Sequence, residues 1–407
     1  MLVCKRFHSH VSRELRGFVS ELVSTVTLQD ADAAMDGALA RMTGRIGVTL
    51  DSGLHGFPHY ADPDTGVWTT TADGFWTGGF WVGQLWLTAY LLNDRRHADG
   101  AAAWCRRLAP RVDSRSVFRS FLFYYGAASG ALLHDDAAAR RLAIAAGRSV
   151  AADFDDQLGV IPLGAQAEEA RSVGPSESNV DGLSACPLIL WAARETGAAD
   201  LAEIGALHAL RSAALFVRED YSVIQSASLD PADGSPLRHY THKGHSDSST
   251  WARAQAWAML FFTQAYRYSG DPALCDVAER VSDWWVAHAP AGEAAYWDFD
   301  APRTAETRRD TSGTAIAAVA LFKLAAATPD RGKAALYHRA ARDITLALAL
   351  RHVTPVAQDD RRPPGVLADG CFDPREGTAV ANELIWGSYF MLEALAIATG
   401  RLGPLTV

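Results

Sequence analysis

Apolar segments of helical length recur along most of this chain. They fall near residues 29–45, 80–93, 100–109, 119–133, 136–151, 183–196, 198–217, 250–268, 272–288, 312–326, 332–350 and 383–399. Many end at a breaker such as ETGAAD, YSGDP, ATPD or ATGR, where Gly or Pro stops a helix. Strand-like alternation is scarce, and SVIQSASLD (222–230) is the best candidate for a small hairpin. About twelve helices, joined alternately by short turns and long loops, make six helical hairpins. Such an all-α chain stacks as an open solenoid or closes into an (α/α)6 barrel. No fixed-period repeat of the solenoid kind is visible. On this pattern alone both arrangements stay open.

The loops carry the rest of the information. Those at 46–79, 152–182, 218–249, 289–311 and 351–382 are long and hold Trp, Asp, Arg and His. Long loops gathered at one end of a helical barrel are where a site would be built. Residues 1–28, mixed and slightly basic, read as an N-terminal helical appendage. No linker rich in Gly, Ser or Pro divides 29–407, which reads as a single domain.

Composition narrows the function classes. A formal charge of -9 argues against a nucleic-acid partner, which needs a clustered basic surface. The first residues, MLVCKRFHSHVSREL, lack the apolar core of a signal peptide, and no run approaches a membrane span. The five cysteines lie far apart with no C-x-x-C pair, which supports neither a zinc site nor a disulfide framework. A soluble, cytoplasmic protein is expected, as monomer or homodimer. Twelve tryptophans mean either a large helical core or a cleft that stacks rings.

Four stretches can carry chemistry. In HKGHSDSSTWARAQAWAMLFF (242–262), Trp251, Arg253 and Trp257 fall in the first turns of a helix buried on most sides. Ser248, Ser249 and Thr250 are candidate N-caps for it. A guanidinium fork there binds carboxylates and the rings stack on sugars, or Arg253 simply pairs with a nearby Asp inside the core. In DGFWTGGFWVGQLWLTAYLL (73–92), Gly78, Gly79 and Gly83 let the backbone approach closely and leave Trp81 open on one side. Trp76 and Trp81 are both candidates for the floor of a cavity. In SESNVDGLSACPLILWAARETG (176–197), Asp181 precedes a helix that must begin near Ser184, because Pro187 is tolerated only in a first turn. It is an N-cap or, if burial or a neighbouring carboxylate raises its pKa, a proton donor. YWDFDAPRTAETRRDTSGTAIAAVALFKLA (296–325) places Asp298, Asp300 and Asp310 among arginines, which reads first as a structural ion-pair network, with Thr311 or Ser312 capping the next helix. The closing helix, NELIWGSYFMLEALAI (382–397), is mostly core.

Together these stretches resemble the unsaturated glucuronyl hydrolases, family 88 of the glycoside hydrolases. The matching pieces are GFWVGQLW, FLFYYGA, NVDGLSACPLILWAA, SDSSTWARAQAW, YWDFDAP, RRDTSGTAIAA and NELIWGSYFMLEAL, in the family's order over roughly residues 35–400. The resemblance implies an (α/α)6 barrel without a metal or organic cofactor, and a small sugar or sugar-acid substrate. It implies that an Asp protonates C4 of a C4=C5 double bond conjugated to a carboxylate, while water adds at C5. Carried over by position, Asp181 matches the acid, Trp251, Arg253 and Trp257 match pocket residues, and Trp81 matches an aromatic wall. The chain also departs from the pattern. Where the family has a His-Asp pair in an HDLGF-like stretch, this chain reads VFRSF, placing Val117 and Phe118 there. Gln225 stands for a pocket histidine, Lys243 for a glutamine, and VIPLGA lacks an aromatic upstream of the acid. Phe118 is then expected to desolvate Asp181, Lys243 to bind an anionic group, and Asp113 to offer a substitute carboxylate if its loop shifts. A non-catalytic sugar-acid binder, or dehydration or elimination on the same barrel, are the alternatives that the missing second Asp raises.

Overall fold

The fate of each helix follows from how much of its circumference is apolar. The computed structural model describes residues 27–170, 174 and 176–407, so most of the expected N-terminal appendage lies outside the described residues. In chain order the helices are α1 (Leu28–Asp51), α2 (Gly78–Leu92), α3 (Arg95–Arg107) and α4 (Arg119–Phe123). A π turn (Tyr124–Ala128) carries α4 into α5 (Ser129–His134), followed by α6 (Ala137–Ala151), α7 (Ala185–Thr196) and α8 (Ala199–Phe216). Then come α9 (Ala252–Ser269), α10 (Pro272–His288), α11 (Thr311–Ala327), α12 (Arg331–Arg351) and α13 (Ile385–Ala398).

Helices α2, α9, α11 and α13 are buried all the way round over most of their length. Such helices must lie inside. Outer helices bury a single stripe, as α3 does with His97, Ala101 and Cys105 at four-residue spacing. The inner ring runs α2, α4–α5, α7, α9, α11, α13, and α13 packs back against α2. That last contact closes the ring, so the fold is an (α/α)6 barrel and not an open solenoid. Close packing of the first inner pair depends on Gly79, where an added Cβ would fall 2.6 Å from the Leu122 backbone. Helix ends follow local chemistry: Asp94, Asp136, Asp271 and Asp330 cap N-termini with their side chains, and Gly197 and Gly270 end α7 and α9 in the left-handed region.

Two expected caps differ. Helix α9 starts at Ala252 with Trp251 as its uncapped N-cap residue, because Ser249 Oγ donates instead to Asp298 (2.7 Å). Helix α11 is capped by Asp310 and not by Thr311 or Ser312.

The expected hairpin is present as β4 (Ser226–Leu229) and β5 (Pro236–Tyr240), with β3 (Ser178–Asn179) added antiparallel to β4. A second sheet, ordered β2 (Trp68–Thr71), β1 (Phe57–Ala61), β6 (Glu383–Leu384), went unread in the sequence. Its strands have no period-2 signal, since FPHYA is buried at four of five positions and WTTT is part-exposed throughout. Both sheets lie on the loops that precede inner helices, and β3 leads directly into the turn that carries Asp181.

Candidate active site

A small cavity opens where the inner helices begin. Trp76 enters it from just before α2, Phe118 and Phe121 from the start of α4, Asp181 from the turn before α7, and Trp251 and Arg253 from the start of α9. The long loops add Glu169, Lys243 and Phe372.

Asp181 sits in a 3-10 turn (Val180–Ser184), whose cap is the Asn179 side chain accepting from the Gly182 N–H (3.1 Å). Asp181 is therefore not the N-cap. The turn is fixed on three sides: β3 pairs with β4, the Val180 N–H donates to the Gln225 carbonyl (2.8 Å), and Ser184 Oγ lies 2.5 Å from Ser120 Oγ. So held, the carboxyl faces the cavity while its Oδ2 is sealed from solvent without a hydrogen-bond partner. Burial, and then the nearby charge of Glu169, raise its pKa from 3.8 to about 6, against the pull of Arg253, His242 and Lys243.

Glu169 is the residue that the sequence reading missed. His242 Nε2 lies 3.0 Å from its Oε2, Lys243 Nζ lies 3.5 Å from its Oε1, and Asn179 Nδ2 donates to it at 2.9 Å. Burial works against its charge, but His242 and Lys243 outweigh it and hold the carboxyl down at about 2. Its only sequence signal was an adjacent acidic pair in a long loop, AQAEEARS. Asp113, the substitute considered from sequence, is exposed and does not line the cavity.

Lys243 reaches the cavity and also pairs with Asp373 (2.9 Å). Burial lowers its pKa, but the two carboxylates raise it further, so the ammonium stays charged. Gln225, by contrast, does not line the cavity. It is fully buried, and its Oε1 accepts from the Lys243 backbone N–H (2.9 Å), which positions the Lys243 loop.

Arg253 lines the cavity, but its fork is committed to protein. Nη1 donates to Asp310 Oδ2 and the Cys371 carbonyl, both 2.8 Å, and Nη2 to the Phe372 carbonyl (2.7 Å). Its guanidinium lies 4.4 Å from the Trp251 ring centroid. The expected substrate anchor is thus chiefly a strut between α9, α11 and the loop before α13.

Two tryptophans are placed differently from expectation. Trp81 is not an open aromatic wall. It is 1% exposed and packs edge-on against Trp104 of α3, 6.1 Å between centroids. The reason is helical phase: Gly79 and Gly83 face the neighbouring inner helices, and a residue two positions from each points the opposite way. Trp76, placed before the helix, takes the cavity position and lies tilted against Trp386, 4.9 Å between ring centroids. Trp257 lies one turn below Arg253, stacked on Phe261 (5.2 Å) and touching Phe121 (5.1 Å). It backs the cavity without lining it.

With this geometry in view, comparison with known proteins is decisive at the family level. The unsaturated glucuronyl hydrolase of Bacillus sp. (strain GL1) is 30% identical over 358 residues, covering 83% of this chain and 90% of that protein. The chain belongs to the unsaturated glucuronyl hydrolase family. An unsaturated chondroitin disaccharide hydrolase of Streptococcus pneumoniae is 27% identical over 341 residues, 83% of each chain. The crystal structure of the Bacillus sp. GL1 unsaturated glucuronyl hydrolase superposes with a TM-score of 0.81 at 27% identity, covering 89% of this chain and 96% of that one. No protein-family model matches the chain.

Proposed function

We propose that this chain hydrates the C4=C5 double bond of a terminal unsaturated uronic acid, or of a related sugar-derived acid, and so releases the attached group. The observation that carries this reading is Asp181, a part-buried carboxyl with one sealed and unpartnered oxygen in a cavity that also presents a cation and aromatic faces. A carboxyl with a pKa of about 6 is an efficient general acid near neutral pH. In the proposed reaction Asp181 gives its proton to C4, and water supplies hydroxyl to C5 and its remaining proton to the Asp181 carboxylate. The C5 hemiketal then opens by breaking its bond to the ring oxygen. That leaves a hemiacetal at C1, which expels the attached alcohol as an aldehyde forms. Lys243 is the charged group that can hold the substrate carboxylate, and the part-exposed Trp76 offers a face for the ring.

Four described cysteines, Cys105, Cys186, Cys275 and Cys371, are unpaired, which supports a reducing, cytoplasmic setting for this chemistry. No helix among the described residues is long and apolar enough to cross a membrane.

Loss of the conjugated enoate absorbance, followed over a panel of unsaturated uronyl disaccharides, tests the proposal. Wild type should turn over at least one of them, and Asp181→Asn should be slower by roughly 100- to 10,000-fold. Full activity in Asp181→Asn would reject the assignment.

A further inference from the structure

Phe118 lines the same cavity as Asp181, so the position where the family resemblance expects a second acid offers only a hydrocarbon ring. A carboxylate nonetheless shares the cavity with Asp181, delivered by a different segment. Glu169 comes from the loop between α6 and α7 and lines that cavity too. Its placement is built. Asn179 donates through Nδ2 to Glu169 (2.9 Å), while its Oδ1 accepts from the N–H of Gly182, beside Asp181 (3.1 Å). One side chain therefore ties Glu169 to the turn that carries the acid. His242 shares Oε2 of Glu169 with Asn179, Lys243 pairs with Oε1, and Ser226 holds His242 in turn.

We infer that Glu169 is the positioning carboxylate of this site, an ionised partner from the α6–α7 loop whose charge keeps Asp181 protonated in place of the acid replaced by Phe118. This rests on Asp181 being the proton donor of the proposed hydration. The charges around Asp181 divide clearly. Glu169 opposes its ionisation, while Arg253 of α9 and His242 and Lys243 of the β5–α9 loop favour it. His208 of α8, 3.0 Å from the Gly182 carbonyl, is pushed down to about 4 by burial and is neutral over the working range. Asp373 shares Lys243 with Glu169, so that cation is partly spent elsewhere. Since Lys243 pairs with Glu169 and His242 also binds it, a proton arriving in the cavity goes to Asp181 and not to Glu169.

The test measures Asp181 without a substrate. Full-length protein labelled with 13C at the aspartate carboxyls is titrated between about pH 4 and 8, and the Asp181 signal is assigned by its loss in Asp181→Asn. In Glu169→Gln the Asp181 midpoint should fall by about one pH unit. Glu169→Asp, which keeps the charge, should leave it near the wild-type value, and Glu169→Gln combined with Phe118→Asp should restore it. An unchanged midpoint in Glu169→Gln, or an equal fall in Glu169→Asp, overturns the inference, because loop disruption would act on both variants alike. For any disaccharide that wild type turns over, the falling limb of kcat against pH should move down with the midpoint while KM changes less than threefold. Absence of turnover in wild type rejects the proposed reaction and leaves the titration result standing.

Discussion

Asp181 and Asp310 both lie just before an inner helix, Asp310 as the N-cap of α11 and Asp181 in the turn that leads into α7, and they have opposite lives. Asp310 is satisfied on every side. Its Oδ1 accepts from the Ser312 N–H (3.0 Å), Ser312 Oγ (2.6 Å) and the Cys371 N–H (3.2 Å), while Oδ2 pairs with Arg253 (2.8 Å). Asp181 has an oxygen as deeply sealed and no partner for it. A buried carboxylate with a full set of donors is a structural joint, whereas one denied donors retains its proton and can give it away. Residue type and position along the helix therefore do not distinguish the acid from the joint. What distinguishes them is where the neighbouring loops direct their N–H groups and cations.

The largest expected effect breaks the joint. Asp310→Asn leaves the Arg253 guanidinium buried without its counter-charge, and breaking a buried pair on one side costs about 3–5 kcal/mol. Urea unfolding at neutral pH measures it. A loss below about 1 kcal/mol would mean that Asp310 does not hold α9 to α11, and the contrast with Asp181 would collapse.

The next effect lies on the other side of the comparison. Asp181 titrates near 6 when folded and at 3.8 as a model carboxyl, so over that window the folded state binds more protons than the unfolded one. Its contribution to stability is therefore present at low pH and is lost as pH rises through about 6, at about 1.4 kcal/mol per pH unit. Asp181→Asn lacks that loss. Its stability relative to wild type should rise between about pH 4 and 6 and level off above. Glu169, held at about 2, makes the opposite contribution, present above its ordinary 4.5 and lost as pH falls toward 2. Both proteins share that contribution while Glu169 stays ionised, so it largely cancels in the difference. A difference that stays flat from pH 4 to 7 would show Asp181 to be an ordinary acid.

Much of this contrast was legible in the chain, for identifiable reasons. Helix positions follow from apolar periodicity and breakers, both local signals, and the observed α10 spans the same residues, 272–288, that the pattern marks. Asp181, Trp251 and Arg253 were found because they lie in compact motifs at helix starts. Glu169 escaped because nothing near it in sequence shows that a cavity lies beside it. Its partners His242 and Lys243 are more than 70 residues away and come from another loop. Trp81 was misplaced because the glycines around it signal close packing correctly, but on the helical face opposite to its ring. Substrate anchor and partner of a nearby Asp both stayed open for Arg253, and the second is borne out by Asp310, which lies 57 residues on and meets the fork only in three dimensions.

Charge and geometry at Arg253 can be separated by a smaller change. Lysine keeps a cation near both aspartates but cannot reproduce a planar fork that serves Asp310, Cys371 and Phe372 together. A hydrogen bond from a charged donor contributes roughly 1.5–3 kcal/mol, so losing one that lysine cannot remake should destabilise Arg253→Lys by about that much, less than Asp310→Asn, because the counter-charge survives. The Asp181 midpoint should stay where it is in wild type, since the positive charge that lowers it is retained. Urea unfolding and the carboxyl titration, run on the same variant, read the two effects separately. If Arg253→Lys moved the Asp181 midpoint by more than half a pH unit, the joint and the acid would be coupled through the position of α9. Asp310 would then belong to the machinery that sets the acid and not only to the frame around it.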